Sequence, residues 1–260
     1  MGTAKAGSPT RVHPRMRSRR IAVRRDQGKR RLKRVAIALG AIAALVAAAA
    51  ATQTALLDVD RVRIDGVAHT AAADVRRVAR IEVGDAMIGV DADGVQARIE
   101  DLPWVARATV ARRWPGTVEI HVTEREPLAM VRLSEGRVAL VDGDGRVLEV
   151  TDRPPSGLPE VTGVRGRLDA GQRLVRGPRD ALAVLRALSE RLPGLVVAVS
   201  SDLDAALASG GVVRFGSTDD LDDKIVAVET VLAHVDTACL ELLDVRVPGS
   251  PALTRHQRCS

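Results

Sequence analysis

The chain has 260 residues, 46% of them hydrophobic, which fits one large domain or two modest ones. Its formal charge of +6 is unevenly spread: residues 1–34 hold thirteen Lys/Arg against Asp26 alone, and the remainder is mildly acidic. The basicity therefore belongs to a tail, not to a folded nucleic-acid-binding face.

After the tail comes "VAIALGAIAALVAAAAA", residues 35–51, with no charge and no Pro. Continued as a helix to Leu57 it rises about 35 Å, enough to cross a bilayer core of about 30 Å with some tilt. "GKRRLKR" precedes it and "DVD" follows, which predicts an N-terminus in the cytoplasm and about 200 residues outside. A cleaved signal peptide and a buried Ala-rich core helix are the competing readings. The tail reads as a disordered topology signal.

"VDRVRIDGV" (59–67) alternates, with Val62 and Ile64 on one face and Arg61, Arg63 and Asp65 on the other, so a half-buried strand is predicted. "TAAADVRRVARI" predicts a helix capped by Thr70, with Val75, Val78 and Ile81 inward. A second helix runs through "GVDADGVQARIEDLPWV", with Val95, Ile99 and Leu102 on one stripe. In the next strand Trp104, Ala106, Ala108 and Val110 share a face. "PG" at 115–116 makes a turn, and "TVEIHVTE" (117–124) returns with Val118, Ile120 and Val122 inward. The unit is β-α-α-β-β. The whole chain has three residues of the Phe/Trp/Tyr kind, and two of them, Trp104 and Trp114, lie here. Trp104 is expected to supply bulk between helix and sheet, and Trp114 to pack at the turn, with direct partner contact as the rival reading for Trp114.

"VALVDGDGRVLEV" predicts a hairpin about a "DGDG" turn, and "TDRPPSGLP" a loop. "RDALAVLRALSERLPG" is an amphipathic helix with Ala181, Leu185, Leu188 and Leu192 on one stripe. "LVVAVS" and "GGVVRFG" read as strands. "LDDKIVAVETVLAHV" places Leu221, Ile225, Val228, Leu232 and Val235 on a second apolar stripe. "LELLDVRV" (240–247) reads as the last strand.

No site motif for catalysis stands out. "VDADG" (90–94) and "VDGDG" (141–145) look like calcium loops, but the twelfth position falls on Leu102 or Arg153, so a helix start and a turn are expected instead. The five histidines are scattered without metal-ligand spacing, and there is no P-loop, G-x-S-x-G or G-x-G-x-x-G. An enzyme is not expected, nor a metal, a cofactor, a small-molecule substrate or a specific nucleic-acid partner. Cys239 and Cys259 either form a disulfide or remain a buried thiol and a dangling one.

The order of a basic tail, one span, "VDRVRIDGV" and then "LPWVARATVARRWPGTVEIHVTEREPLA" resembles the FtsQ/DivIB family of bacterial cell-division proteins. "VALVDGDGRVLE" and "GLPEVTG" fit the start of that family's second, β-rich domain, so the resemblance covers nearly the whole chain. It implies an α+β protein: a tail (1–34), a transmembrane helix (35–57), a POTRA-type domain (58–126), a β-rich partner-binding domain (127–253) and a short C-terminal tail (254–260). It implies a non-catalytic scaffold of the divisome at the septal membrane, binding a coiled-coil complex of the FtsB/FtsL type through the β domain. The partner's segment would add to the sheet edge near the last strand. Matched by position, Val245, Arg246, Val247, Gly249 and Ser250 fall on the family's partner-binding strand and turn, and Lys224 on a basic position of the preceding helix. The family often carries an aromatic where Val247 stands, and Pro248 and Pro251 shorten any ladder beyond it. A POTRA protein of envelope assembly or secretion is the alternative, and it would require a barrel that this sequence does not supply.

Overall fold

A computed structural model describes residues 32–47, 57–133 and 136–259. The expected disordered tail lies outside them except for residues 32–34, and so do residues 48–56 of the expected span. Residues 32–47 form a helix, α1, exposed along its length. It rises about 24 Å. Among the described residues no helix is long and apolar enough to cross a membrane.

The first sheet is built as the hydrophobic pattern predicts. β1 (Arg61–Asp65) alternates half-buried Val62 and Ile64 with exposed charges. α2 (Ala72–Ala79) buries Val75 and Ala79. α3 (Ala92–Glu100) starts where the Asp91 carboxylate accepts the Gly94 N–H at 3.1 Å. β2 (Val105–Arg113) and β3 (Thr117–Glu124) form the hairpin. The order is β1-β3-β2, with β1 parallel to β3, a pairing that requires the helical crossover between them. Both helices pack on one face, over Val118, Ile120 and Val122. Arg98 of α3 fastens the pair, donating to the carbonyls of Val78 and Ala79 at the end of α2.

Trp114, expected to pack at the turn, is exposed there instead, and two further local expectations are corrected. Thr70 does not cap α2: Ala71 is the N-cap, and Thr70 Oγ1 is buried with no partner among the described residues. The tie comes instead from Glu124, at the far end of β3. Its carboxylate accepts the Thr70 N–H at 2.7 Å, the His69 N–H at 2.9 and 3.1 Å, and the His69 Nδ1 at 3.0 Å. Burial opposes that charge, but the N–H groups of His69, Thr70 and Ala68 outweigh it and hold the carboxyl at about 2. The second correction is a bulge in β2 between Val105 and Arg107, which buries Val105 and Ala108 and turns Ala106 to solvent.

The second sheet has nine strands among the described residues: β4 (Pro127–Arg132), β5 (Val138–Asp142), β6 (Val147–Thr151), β7 (Glu160–Thr162), β8 (Val196–Ser200), β9 (Asp204–Leu207), β10 (Val212–Arg214), β11 (Leu240–Asp244) and β12 (Ala252–Arg255). Their order is β12-β11-β10-β9-β8-β7-β4-β5-β6. α4 (Arg176–Arg191) and α5 (Leu221–Leu232) cover one face with the predicted stripes: Ala181, Leu185, Leu188, Ile225 and Val228 are all fully buried. The expected last strand ends at Asp244, three residues early, and β12 was not foreseen.

β5 is buried along its whole length, which requires cover on both faces. Ala139 and Val141 belong to the helix-side core, while Val138 and Leu140 meet Trp104 and Leu148 on the other. Trp104 is therefore structural, as expected, but its place differs: it joins the first sheet to the second instead of filling the first unit. Its ring stacks on His69 at 4.2 Å. Beside it Arg125 donates to Val105 O at 2.9 Å and to the Asp142 carboxylate at 2.6 Å, with both side chains largely buried. The Glu124–Arg125 pair thus ties one side to α2 and the other to β5.

Candidate functional site

The C-terminal end of the large sheet starts with α5. Its stripe buries Ile225 and Val228, and on the same helix Lys224 is also buried, at 2% exposure. A buried ammonium needs acceptors, and Lys224 Nζ has three: Phe215 O at 3.1 Å, Ser217 O at 3.0 Å and Ser217 Oγ at 3.2 Å. These fix the turn after β10. Within it Gly216 has φ +69°, and a Cβ there would lie 2.8 Å from Cγ of Arg246. Only glycine leaves room for the Arg246 stem, so Lys224 acts on the surface through this turn.

β10, β11 and β12 follow in order. β11 is parallel to β10 and antiparallel to β12. The edge expected along residues 240–247 is therefore already filled. The Val245 N–H donates inward to Arg214 O, so even-numbered residues of β11 bond toward β12. The His256 N–H donates to Cys239 O at 3.0 Å, which sets the same phase from the other strand. By this alternation the amides of Leu253 and Arg255 point away from the sheet, with no strand beside them among the described residues. All four residues of β12 are exposed, and among the described residues no strand lies outside it. At the opposite end of the sheet β6 is partly covered, since Val147 exchanges hydrogen bonds with Gly171 and Gln172. A disulfide between Cys239 and Cys259 closes the β11–β12 connection, settling that open alternative.

The six expected partner-binding residues separate into two groups. Val245 is fully buried and Lys224 nearly so; neither presents a surface. Arg246, Val247, Gly249 and Ser250 come together on the exposed turn between β11 and β12, with Val247 63% exposed. Arg246 grips Asp244, with Nη2 to Oδ2 at 2.7 Å and Nε at 3.0 Å from both oxygens. That contact holds the Asp244 carboxyl below its usual range. Across the neighbouring strands Arg214 pairs with Asp204 at 3.0 and 3.1 Å, so a row of alternating charge leads to the turn. Under the turn an apolar recess of about 430 Å³ is lined by Val226, Ala227, Val231, Pro248 and Pro251, with Asp223 and Thr230 at its rim. The sequence reading missed β12 and Leu253; "ALTR" is too short, and too close to two prolines, to show an alternation. Among the described residues no group of three or more His, Cys, Asp or Glu is placed to hold a metal ion.

These features can be set beside known proteins. A POTRA domain model of FtsQ type matches residues 57–125, and the C-terminal model of cell division protein FtsQ/DivIB matches residues 129–246. A cell division protein FtsQ of Streptomyces collinus is 31% identical over 242 residues, covering 88% of this chain and 90% of that protein. The chain belongs to the FtsQ/DivIB family. Similar relatives include the FtsQ proteins of Corynebacterium glutamicum, 29% identical over 77% of this chain and 90% of that protein, and of an Anaeromyxobacter species, 31% identical over 80% and 76%. The FtsQ/DivIB match stops at Arg246, so the rest of the turn and β12 lie beyond the matched part of the chain.

Proposed function

We propose that this FtsQ/DivIB-family chain is a non-catalytic scaffold of the division machinery at the septal membrane. In this reading residues 1–34 lie in the cytoplasm and residues 35–57 span the membrane once. Residues 58–126 and 127–253 stand outside and bind other division proteins. The partner is an extended segment of the FtsB/FtsL type, which adds a strand to the outer edge of β12.

The observation that carries the reading is the outer row of β12, with no strand beside it among the described residues. An added strand satisfies its outward N–H and C=O groups, and these backbone bonds give affinity with little demand on side-chain identity. Specificity then comes from the flanks. Arg246 and Val247 stand at one end of the edge, and the recess over Val226 and Val231 can take an apolar partner side chain. Lys224 and Val245, carried over from the family pattern, support this surface from beneath.

In-cell photo-crosslinking from probes at positions 253 and 247 tests the proposal. Capture of a small coiled-coil division protein at both positions is expected. Efficient capture from a probe in the first sheet, with none at 253 and 247, would move the interface off β12.

A further inference from the structure

We propose that the end of the first sheet beside the membrane span is a lipid-contacting surface, in which Val83, Ile88 and Trp114 enter the interfacial layer of the bilayer. This rests on the single-span reading of residues 35–57.

Three large apolar side chains on two separate loops are exposed here: Val83 at 73%, Ile88 at 64% and Trp114 at 54%. Water is a poor environment for all three. Both loops are hydrogen-bonded to the first residues after the span. The Val59 N–H donates to Asp85 O at 2.7 Å, the Gly84 N–H donates to Val59 O at 2.9 Å, and Asp58 bridges Ala86. On the other side the N–H groups of Asp60 and Arg61 both donate to Gly116 O, at 2.7 and 3.1 Å, in the turn that carries Trp114. The apolar tips therefore surround the point where the chain leaves the expected span.

Reach decides whether they meet lipid. Residues 58–60 extend at most about 11 Å from Leu57. The headgroup layer is about 5–8 Å thick on each side of the hydrocarbon core. Loops tied to residues 58–61 are thus held within that layer or a few ångströms beyond it, close enough for their exposed tips to reach it. A Trp with one apolar body and one N–H suits this boundary, which is why the residue type concentrates there. Charge does not select the lipid: Arg61, Arg76, Arg77 and Arg80 beside Val83 are offset by Asp60, Glu82 and Asp85 in the same recess and by Asp74, which pairs with Arg77, while Arg113 next to Trp114 pairs with Glu119. Apolar insertion sets the contact.

The test uses the full chain reconstituted in phosphatidylcholine vesicles, with and without lipid brominated on the acyl chains. Flotation with the vesicles reports the span independently. The expected result is quenching of tryptophan emission by brominated lipid, lost in Trp114→Phe, reduced in the Val83→Asp/Ile88→Asp double variant, and unchanged when anionic lipid is added. A chain that floats but shows no quenching dependent on Trp114 overturns the inference and leaves the span intact, assigning the tips to water or to a protein contact. Quenching that requires anionic lipid overturns it in favour of charge attraction. A chain that does not float removes the span and the inference with it.

Discussion

Replacing Glu124 with Gln removes the charge that gathers three groups of the β1–α2 connection. The carboxyl is held at about 2 against an ordinary value of 4.5, a difference equivalent to about 3 kcal/mol. Its side chain is 10% exposed, and screening from the water side brings the expected loss to about 2 kcal/mol at neutral pH. The amide keeps one oxygen but turns an NH2 group toward N–H donors already aimed at the site. Because the folded-state value is depressed, the contribution is present in full above pH of about 4.5 and is lost as pH falls toward 2. Urea unfolding of the detergent-solubilised chain, followed by tryptophan emission, reads this well, since Trp104 stacks on the His69 ring that Glu124 holds. The wild type should lose stability across that pH window, and Glu124→Gln should start lower and show a flatter profile. Equal stability at pH 7, with the same acid slope in both proteins, would refute the role given to this carboxylate.

Trp104→Ala should cost about 3–5 kcal/mol by emptying the space over Val138, Leu140 and Leu148, and should split unfolding into separate transitions for the two sheets. Cys239→Ser opens a closure of 20 residues and should cost about 3 kcal/mol, seen as faster amide exchange at residues 252–255 with α2 unchanged. Lys224→Met leaves Phe215 O and Ser217 O without their donor; a loss of about 2 kcal/mol is expected in urea unfolding, with weaker partner binding through the displaced 215–217 turn.

The parts of the fold legible in the sequence are those where one face is wet and the other dry. β1, β3, α4 and α5 carry clean periods of 2 or 3.6, and all four lie where the pattern puts them. β7 and β9 escaped because they are short, "EVT" and "DAAL" giving no alternation to count, and β4 because "PLAMVR" opens with a proline and is apolar at four successive positions. The bulge at Val105 reversed the inward face of β2 at its start, and no local residue announces it. Long-range ties were equally silent. Thr70 looked like a cap because its partner Glu124 is 54 residues away. Lys224 was expected at the partner surface from the family pattern, and nothing around "DDKI" shows that three oxygens from residues 215–217 converge on it. The candidate site divides the same way. Positions 246, 247, 249 and 250 do gather on one exposed turn, whereas the strand that closes over β11 became visible only with the paired backbone.

The decisive measurement is binding of an FtsB/FtsL-type partner segment to Leu253→Pro by calorimetry. Proline removes an amide that points away from the sheet and breaks no β11–β12 bond, so the fold should survive while the added strand loses a donor and meets the ring. Affinity should fall at least about tenfold, from the lost hydrogen bond together with the clash, with unchanged amide exchange along β11. Binding equal to wild type by a folded Leu253→Pro protein would contradict strand addition at β12.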